Sequence, residues 1–259
     1  MYAEERRAAI VDAARNAGRV RVADLAEQFA VAPETIRRDL DVLEGEGALR
    51  RVHGGAIPLD GFEAHEAALP DREVENAEAK RAIAAAALTY VPASDGTIVL
   101  DAGSTTGALA SALVQQPRAY SGLSVVTNSV PAALALTAVE QHTVLMLGGT
   151  VRAVTQATVG PTTLELLGRV RVDVVFLGTN GISAGFGLTT PDAAEAAVKR
   201  GMVAVARRRV VLADQTKFGH DFFIRFAALK DLDVLITDAK PTGSLASALS
   251  DNDIEVVVA

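Results

Sequence analysis

Apolar residues recur at helical spacing through the first 57 positions, then change to short continuous runs from residue 97 onward. Ile10, Val11 and Ala14 mark the inner side of a first helix over about Ala3 to Asn16, stopped by Gly18. Val22, Leu25, Ala26 and Phe29 make an i, i+3, i+4, i+7 stripe on a second. Ala30-Val31-Ala32 is a tight connection, and Pro33 stands where a first helical turn tolerates it. Ile36, Leu40 and Leu43 then face inward on a third helix that Gly45 and Gly47 end. Leu49 to Ile57 predicts a small hairpin with one basic strand, the wing of a winged helix-turn-helix.

Beyond residue 97 the pattern belongs to a different architecture. Thr97 to Asp101, Ser124 to Thr127, Thr143 to Leu147, Val172 to Leu177, Val210 to Asp214 and Val234 to Thr237 are apolar runs suited to strands buried on both faces. Helical stretches fall between most of them, at Thr106 to Val114, Val130 to Val139, Thr162 to Gly168 and Asp192 to Arg207. That alternation predicts an α/β domain with a mostly parallel, Rossmann-like sheet covered by helices on both sides. Pro58 to Asn76, with Gly61, Pro70 and mixed charges, reads as a linker. The expected organisation is a winged helical module over 1–57, a linker over 58–76 and an α/β domain over 77–259.

Composition narrows the function classes. Twenty-five basic residues against 32 acidic ones give a net charge of -7, which excludes a polycationic protein that binds nucleic acid by bulk charge. Aromatic residues are 4% with no Trp, which argues against a base-stacking single-strand binder. The absence of cysteine removes disulfides, thiolate zinc sites and Cys nucleophiles, and no cofactor or metal is expected. No run approaches the ~18 uninterrupted apolar residues of a membrane span, and Met1 to Arg7 lacks the order of a secretory signal. A soluble cytoplasmic protein without a membrane partner is expected.

The distribution of charge matters more than its sum. Residues 1–60 hold 9 Arg and no Lys against 11 acidic residues. Arg37 and Arg38 nevertheless fall on the outward side of the third helix, flanked by Thr35, and Arg50, Arg51 and His53 fall on the wing beside Gly54 and Gly55. Arginine can take guanine O6 and N7 together in the major groove and can also hold phosphates, so these eight residues are the candidate DNA contacts. The same pattern also suits a small helical interaction domain whose arginines pair with Glu34 or Asp41.

In an open parallel sheet, ligands sit outside the carboxyl ends of the strands. Those ends carry Asp101 with Gly103-Ser104-Thr105-Thr106, Asn128-Ser129, Gly149, Gly178 with Asn180-Gly181, and Asp214. A phosphate needs amides and hydroxyls at a helix start together with a cation. The Gly103 to Thr106 turn supplies the first, and Lys217 or Arg152 the second; Asp101, Asn128 and Asn180 suit sugar hydroxyls. Read singly, the turn is also an ordinary helix cap, Lys217 a surface lysine and Asp214 a carboxylate capping amides. Glu195 and Lys199, spaced i, i+4, read as a surface ion pair.

The stretch Val31 to Leu40 containing Thr-Ile-Arg-Arg-Asp-Leu, followed by Arg51-Val52-His53-Gly54-Gly55-Ala56, closely resembles the DeoR family of bacterial transcriptional regulators. The later motifs Lys80-Arg81-Ala82-Ile83-Ala84, Leu100 to Thr106, Val126 to Ser129, Leu147-Gly148-Gly149, Gly178 to Ile182 and Ala213 to Gly219 resemble that family's sensor domain. The resemblance implies a homo-oligomeric repressor that binds double-stranded operator DNA. Its sensor, related to sugar-phosphate isomerases, would take a phosphorylated sugar. The segment from Gly178 to Asp192 looks most like members associated with fructose, which makes fructose 1-phosphate the first candidate. The alternative is an isomerase with an appended DNA-binding domain. Isomerisation needs a carboxylate base. Where ribose-phosphate isomerases carry an Asp-Gly-x-Asp-Glu strand end, this chain has Leu177-Gly178-Thr179-Asn180-Gly181, so no catalytic residue and no enzyme activity is expected, with Asp101 and Asp214 left as the carboxylates that could still act as a base.

Overall fold

The computed structural model describes residues 3–17, 19–46, 48–52, 54–58 and 66–259; the side chains at 15–17, 50 and 58 lie outside the description. The chain divides into two compact units, Met1–Glu66 with His220–Phe223, and Ala67–Gly219 with Ile224–Ala259.

The first unit runs α1 (Ala3–Ala17), β1 (Val20–Arg21), α2 (Val22–Gln28), α3 (Pro33–Gly45), β2 (Leu49–Val52) and β3 (Gly55–Pro58). Its core is the apolar stripes read from the sequence: Ile10, Ala14, Val22, Leu25, Ala26, Ile36, Leu40 and Leu43, joined by Val20, Leu49 and Ala56 from the strands. Val11 and Phe29 are only partly covered. One ionic contact is set among them: Arg6 Nε donates to Asp39 Oδ2 at 2.6 Å, both side chains nearly buried, tying α1 to α3. That carboxylate raises the Arg6 pKa by its hydrogen bond, against the opposing effect of burial. The strands form an antiparallel sheet in the order β1-β3-β2. Gly55 is required there, because a Cβ would stand 1.9 Å from the Val20 carbonyl oxygen.

The second unit begins with α4 (Leu69–Val74) and α5 (Ala77–Ala87), followed by β4 (Thr97–Leu100), α6 (Ser104–Gln115), β5 (Ser124–Thr127), α7 (Val130–Leu136) and β6 (Thr143–Met146). A hairpin of β7 (Thr150–Arg152) and β8 (Ala157–Val159) leads to α8 (Pro161–Leu167) and β9 (Val172–Gly178). Then come β10 (Gly181–Ser183), β11 (Gly187–Thr190), α9 (Ala193–Val205), β12 (Ala206–Leu212), β13 (Ile224–Ala227), β14 (Val234–Thr237), α10 (Gly243–Asp251) and β15 (Glu255–Val258). Within the segment expected as a linker, α4 is ordered helix, with Leu69 buried.

Seven strands form one sheet in the order β15-β14-β12-β9-β4-β5-β6, and every pairing in it is parallel. Alternate residues feed opposite faces, as a pleated strand requires. Ile98, Leu100, Val174 and Phe176 pack with α5, α6 and α7 through Ile83, Leu109, Leu113 and Leu136. Val99, Val175 and Leu177 pack with α8, α9 and α10 through Leu167, Val198, Met202 and Leu249. The chain builds outward from β4 through β5 to β6, then returns to place β9 on the other side of β4. A crevice therefore opens between the carboxyl ends of β4 and β9, where the direction of winding reverses.

Candidate functional site

On the first unit, α3 starts after Ala32 with Pro33 in its first turn, and its buried stripe turns Arg37 and Arg38 outward. Arg37 Nη1 donates to Glu34 Oε2 at 2.8 Å on the surface. Arg38, its neighbour, makes no bond among the described residues and is exposed. Thr35 is half-buried. Arg51 reaches back from β2 to α3: its amide donates to Glu44 Oε1 at 2.8 Å, and its guanidinium pairs with Asp41 and donates to the Arg37 carbonyl at 3.4 Å. The wing strand is thereby latched to the helix. Gly54 is exposed at the turn with a left-handed φ of +78°, while Gly55 is buried against β1. His53 and the Arg50 side chain lie outside the described residues.

On the second unit a cleft open to solvent occupies the β4–β9 crevice. Gly103, Ser104, Thr105, Gly178, Asn180 and Lys217 of the expected residues line it. Arg72, Glu75, Lys80, Thr179, Glu195 and Lys199 line it as well, and none of these six was among the expected site residues. No side chain caps α6, whose first amides have no intrahelical acceptor, and its opening residues Ser104 and Thr105 line the recess. Thr106 is buried and donates to the Gly103 carbonyl at 3.1 Å, which shapes the turn rather than the cleft wall.

The floor is ionic. Lys199 and Asp101, 4% and 2% exposed, form a salt bridge. The Lys199 ammonium also donates to the Gly178 carbonyl at 3.0 Å and stands 5.4 Å above the Phe226 ring. Asp101 Oδ2 also accepts the Gly178 amide at 3.0 Å, so one oxygen holds both the lysine and the strand end of β9. The surface ion pair expected between Glu195 and Lys199 is therefore not what forms. Both residues are buried on the face of α9 that meets the sheet, and each takes a different partner. Glu195 Oε1 accepts from Arg152 Nη1 at 3.2 Å and from the Thr155 hydroxyl.

That contact corrects the reading of Arg152. Its guanidinium is spent on Glu195 and on Asp192 Oδ2 at 3.3 Å, and it does not line the cleft. Five other expected ligands of the effector have internal duties. Asn128 is buried, accepts the Ala102 amide at 2.9 Å and donates to the Thr158 carbonyl at 3.2 Å. Ser129 caps α7 through the Ala132 amide. Gly149, at φ +143°, has no room for a Cβ beside Thr163 and Val159. Gly181 is the first residue of β10, its carbonyl accepting from Thr179 and Thr189 hydroxyls. Asp214, 1% exposed, accepts the Thr216 amide through Oδ1, while its Oδ2 is buried without a hydrogen-bond partner.

Besides Lys199, Arg72 and two further lysines give the cleft its cationic character. The Lys217 ammonium makes no bond among the described residues and is half-buried at the wall. Lys80 is 4% exposed, and its ammonium donates to two neutral carbonyls, Arg72 and Glu75, the latter at 2.6 Å. Burial lowers its pKa, opposed by the nearby Asp214 and reinforced by Lys217. Its place was signalled in the sequence: Lys80, Ile83, Ala84 and Ala87 form one buried stripe of α5, a lysine heading an apolar row. Glu195, Val198, Lys199 and Met202 repeat that signature on α9. Among the described residues there is no acidic or histidine cluster that could hold a metal, and no helix is long and apolar enough to cross a membrane.

Residues 6–60 match the DeoR-like helix-turn-helix domain and residues 75–239 the DeoR C terminal sensor domain. The chain is 38% identical over 239 residues to the HTH-type transcriptional regulator GlpR of Haloferax volcanii, covering 92% of this chain and 91% of that one. It is 30% identical to the glycerol-3-phosphate regulon repressor of Escherichia coli, over 99% of both chains. It is 35% identical to the uncharacterized HTH-type transcriptional regulator FruR of Bacillus subtilis, over 93% of both. These relatives are named as regulators and repressors, not as enzymes. Matched over both of its domains and across nearly the whole length of these relatives, the chain belongs to the DeoR family of helix-turn-helix transcriptional regulators.

Proposed function

We propose that this regulator represses a sugar-metabolism operon, and that a phosphorylated sugar bound in the β4–β9 cleft changes its affinity for operator DNA. The observation that carries the reading is the convergence of Lys80, Lys217 and the uncapped start of α6 on one recess at the sheet's reversal point. Amides at a helix start together with cations are a phosphate site in general. Thr105, Asn180 and Ser104 offer hydrogen bonds to the rest of a polyol. Fructose 1-phosphate is the first candidate, and glycerol 3-phosphate is its competitor, since one relative is named for that compound's regulon.

The DNA-reading module over 1–57 joins the sensor over 77–259 through 58–76, and the protein acts in the cytoplasm as a homo-oligomer whose paired heads meet two half-sites of the operator. Arg38 and Thr35 with Arg37 contact bases, and the wing residues Arg50, Arg51 and His53 follow the backbone. Calorimetry of the full chain tests the cleft. Fructose 1-phosphate or glycerol 3-phosphate is expected to bind, and unphosphorylated fructose to fail. Lys217→Ala is expected to weaken the phosphate ester by about 1.5–3 kcal/mol, one to two orders of magnitude, as for a charge-assisted contact. Equal affinity of the variant would place the phosphate elsewhere.

A further inference from the structure

The short helix α4 is fastened at its end to a lysine of the cleft and at its start to the turn that holds another cleft residue, Glu195. At its start the Leu69 amide donates to the Val154 carbonyl at 2.8 Å, in the turn between β7 and β8. The next residue in that turn, Thr155, and Arg152 of β7 both hold Glu195, which lines the cleft. At its other end the Lys80 ammonium bonds the Arg72 and Glu75 carbonyls, and Arg72, Glu75 and Lys80 all line the cleft. Leu69 is buried, while Glu73 and Val74 are exposed, Val74 at 80%. A six-residue helix has little stability of its own, so these fastenings decide whether it persists. In sequence α4 stands three positions after the last residue of the first unit.

We propose that α4 is the element by which the cleft reports its occupancy to the DNA-reading module: an anion in the cleft tightens α4 onto the sensor. The inference rests on the phosphate-site reading above and adds the route of regulation. An ammonium has three N–H groups, and two on Lys80 are taken by carbonyls at the end of α4. The third can meet a phosphate without releasing them. Arg72, on α4 itself, is a second cation drawn to the same anion. Ligand then bridges α4 to the start of α6, and the helix opens less often. The chain entering α4 from the first unit consequently leaves the sensor in a narrower range of directions, which changes how paired heads reach two half-sites.

Hydrogen–deuterium exchange on the full chain tests this, with fructose 1-phosphate, glycerol 3-phosphate and inorganic phosphate as probes and calorimetry fixing saturation. Amides of residues 72–76 are expected to exchange about threefold or more slowly with a bound probe, because local opening controls their exchange. Val74→Gly, at an exposed position outside the cleft, loosens α4. It is expected to keep probe affinity within about threefold while reducing the effect of probe on operator binding by a larger factor. Bound probe with unchanged or faster exchange at 72–76 overturns the proposal and leaves the effector reading standing. So does a Val74→Gly protein with full coupling. Absence of binding by all three probes overturns both.

Discussion

Arg37 and Arg38 are adjacent in the sequence and unequal in the structure. Glu34 already neutralises Arg37, and Asp41 does the same for Arg51, whereas Arg38 is exposed and unpaired among the described residues. A base or phosphate meeting Arg38 has no carboxylate to displace. Arg38→Ala is therefore expected to weaken specific operator binding by about 1–3 kcal/mol, with thermal unfolding unchanged. A mobility-shift titration that finds equal affinity would move recognition to another residue. In the sensor the corresponding residue is Lys199. Removing one partner of a buried ion pair strands the other, so Lys199→Met is expected to destabilise the sensor by about 3–5 kcal/mol in urea unfolding. Adding Asp101→Asn should return part of that loss, because the orphaned carboxylate is then gone; no recovery would assign the effect to packing.

At the scale of elements, the buried strands were legible because Ile98-Val99-Leu100, Val174-Val175-Phe176 and Val234-Leu235-Ile236 are apolar on consecutive positions, as only doubly covered strands are. The three helices of the reading head were legible because Ile36, Leu40 and Leu43 share one side and a tripeptide joins the second to the third. Short strands were not. In β10 and β13 the pairing partners come from β11, and three or four residues with no alternation carry no periodic signal. The pair Glu195 and Lys199 was misjudged for a physical reason: i, i+4 spacing places two charges on one side of a helix without saying whether that side meets water. The apolar Val198 and Met202 on the same stripe answer that question, and so does Ile83 for Lys80. A last element is fixed by Tyr90, whose hydroxyl donates to Glu255 Oε1 of β15 at 2.6 Å. Burial first, then that hydrogen bond, push its pKa up to about 12. A phenol that keeps its proton longer when folded contributes stability fully below about pH 10, its ordinary value, and loses it as pH rises through about 12. Absorbance titration should show one of the three tyrosines ionising late. Glu255→Gln should lower that midpoint only part of the way, since burial remains.

For the whole molecule, the proposed regulation is a coupling free energy between cleft and operator, and such a coupling is reciprocal. If saturating phosphosugar weakens operator binding by a factor of about a hundred, roughly 2.7 kcal/mol, then operator DNA must weaken phosphosugar binding by that same factor. Calorimetry of the preformed DNA complex checks the equality, and a mismatch would show that free and bound proteins differ in assembly. The order in which the two functions come into being follows from where their contacts lie along the chain. The reading head completes its core between Ile10 and Ala56. The cleft joins Asp101 to a lysine 98 residues later and to a glycine amide 77 residues later, so its floor is unfinished until α9 exists. On the ribosome, a nascent chain thus possesses a folded DNA reader well before it possesses anything able to sense a metabolite. A message broken or stalled short of codon 199 would yield a helix-turn-helix head without a finished cleft, and prompt proteolysis of such fragments would matter more to a regulator than to an enzyme whose truncated products are simply inert.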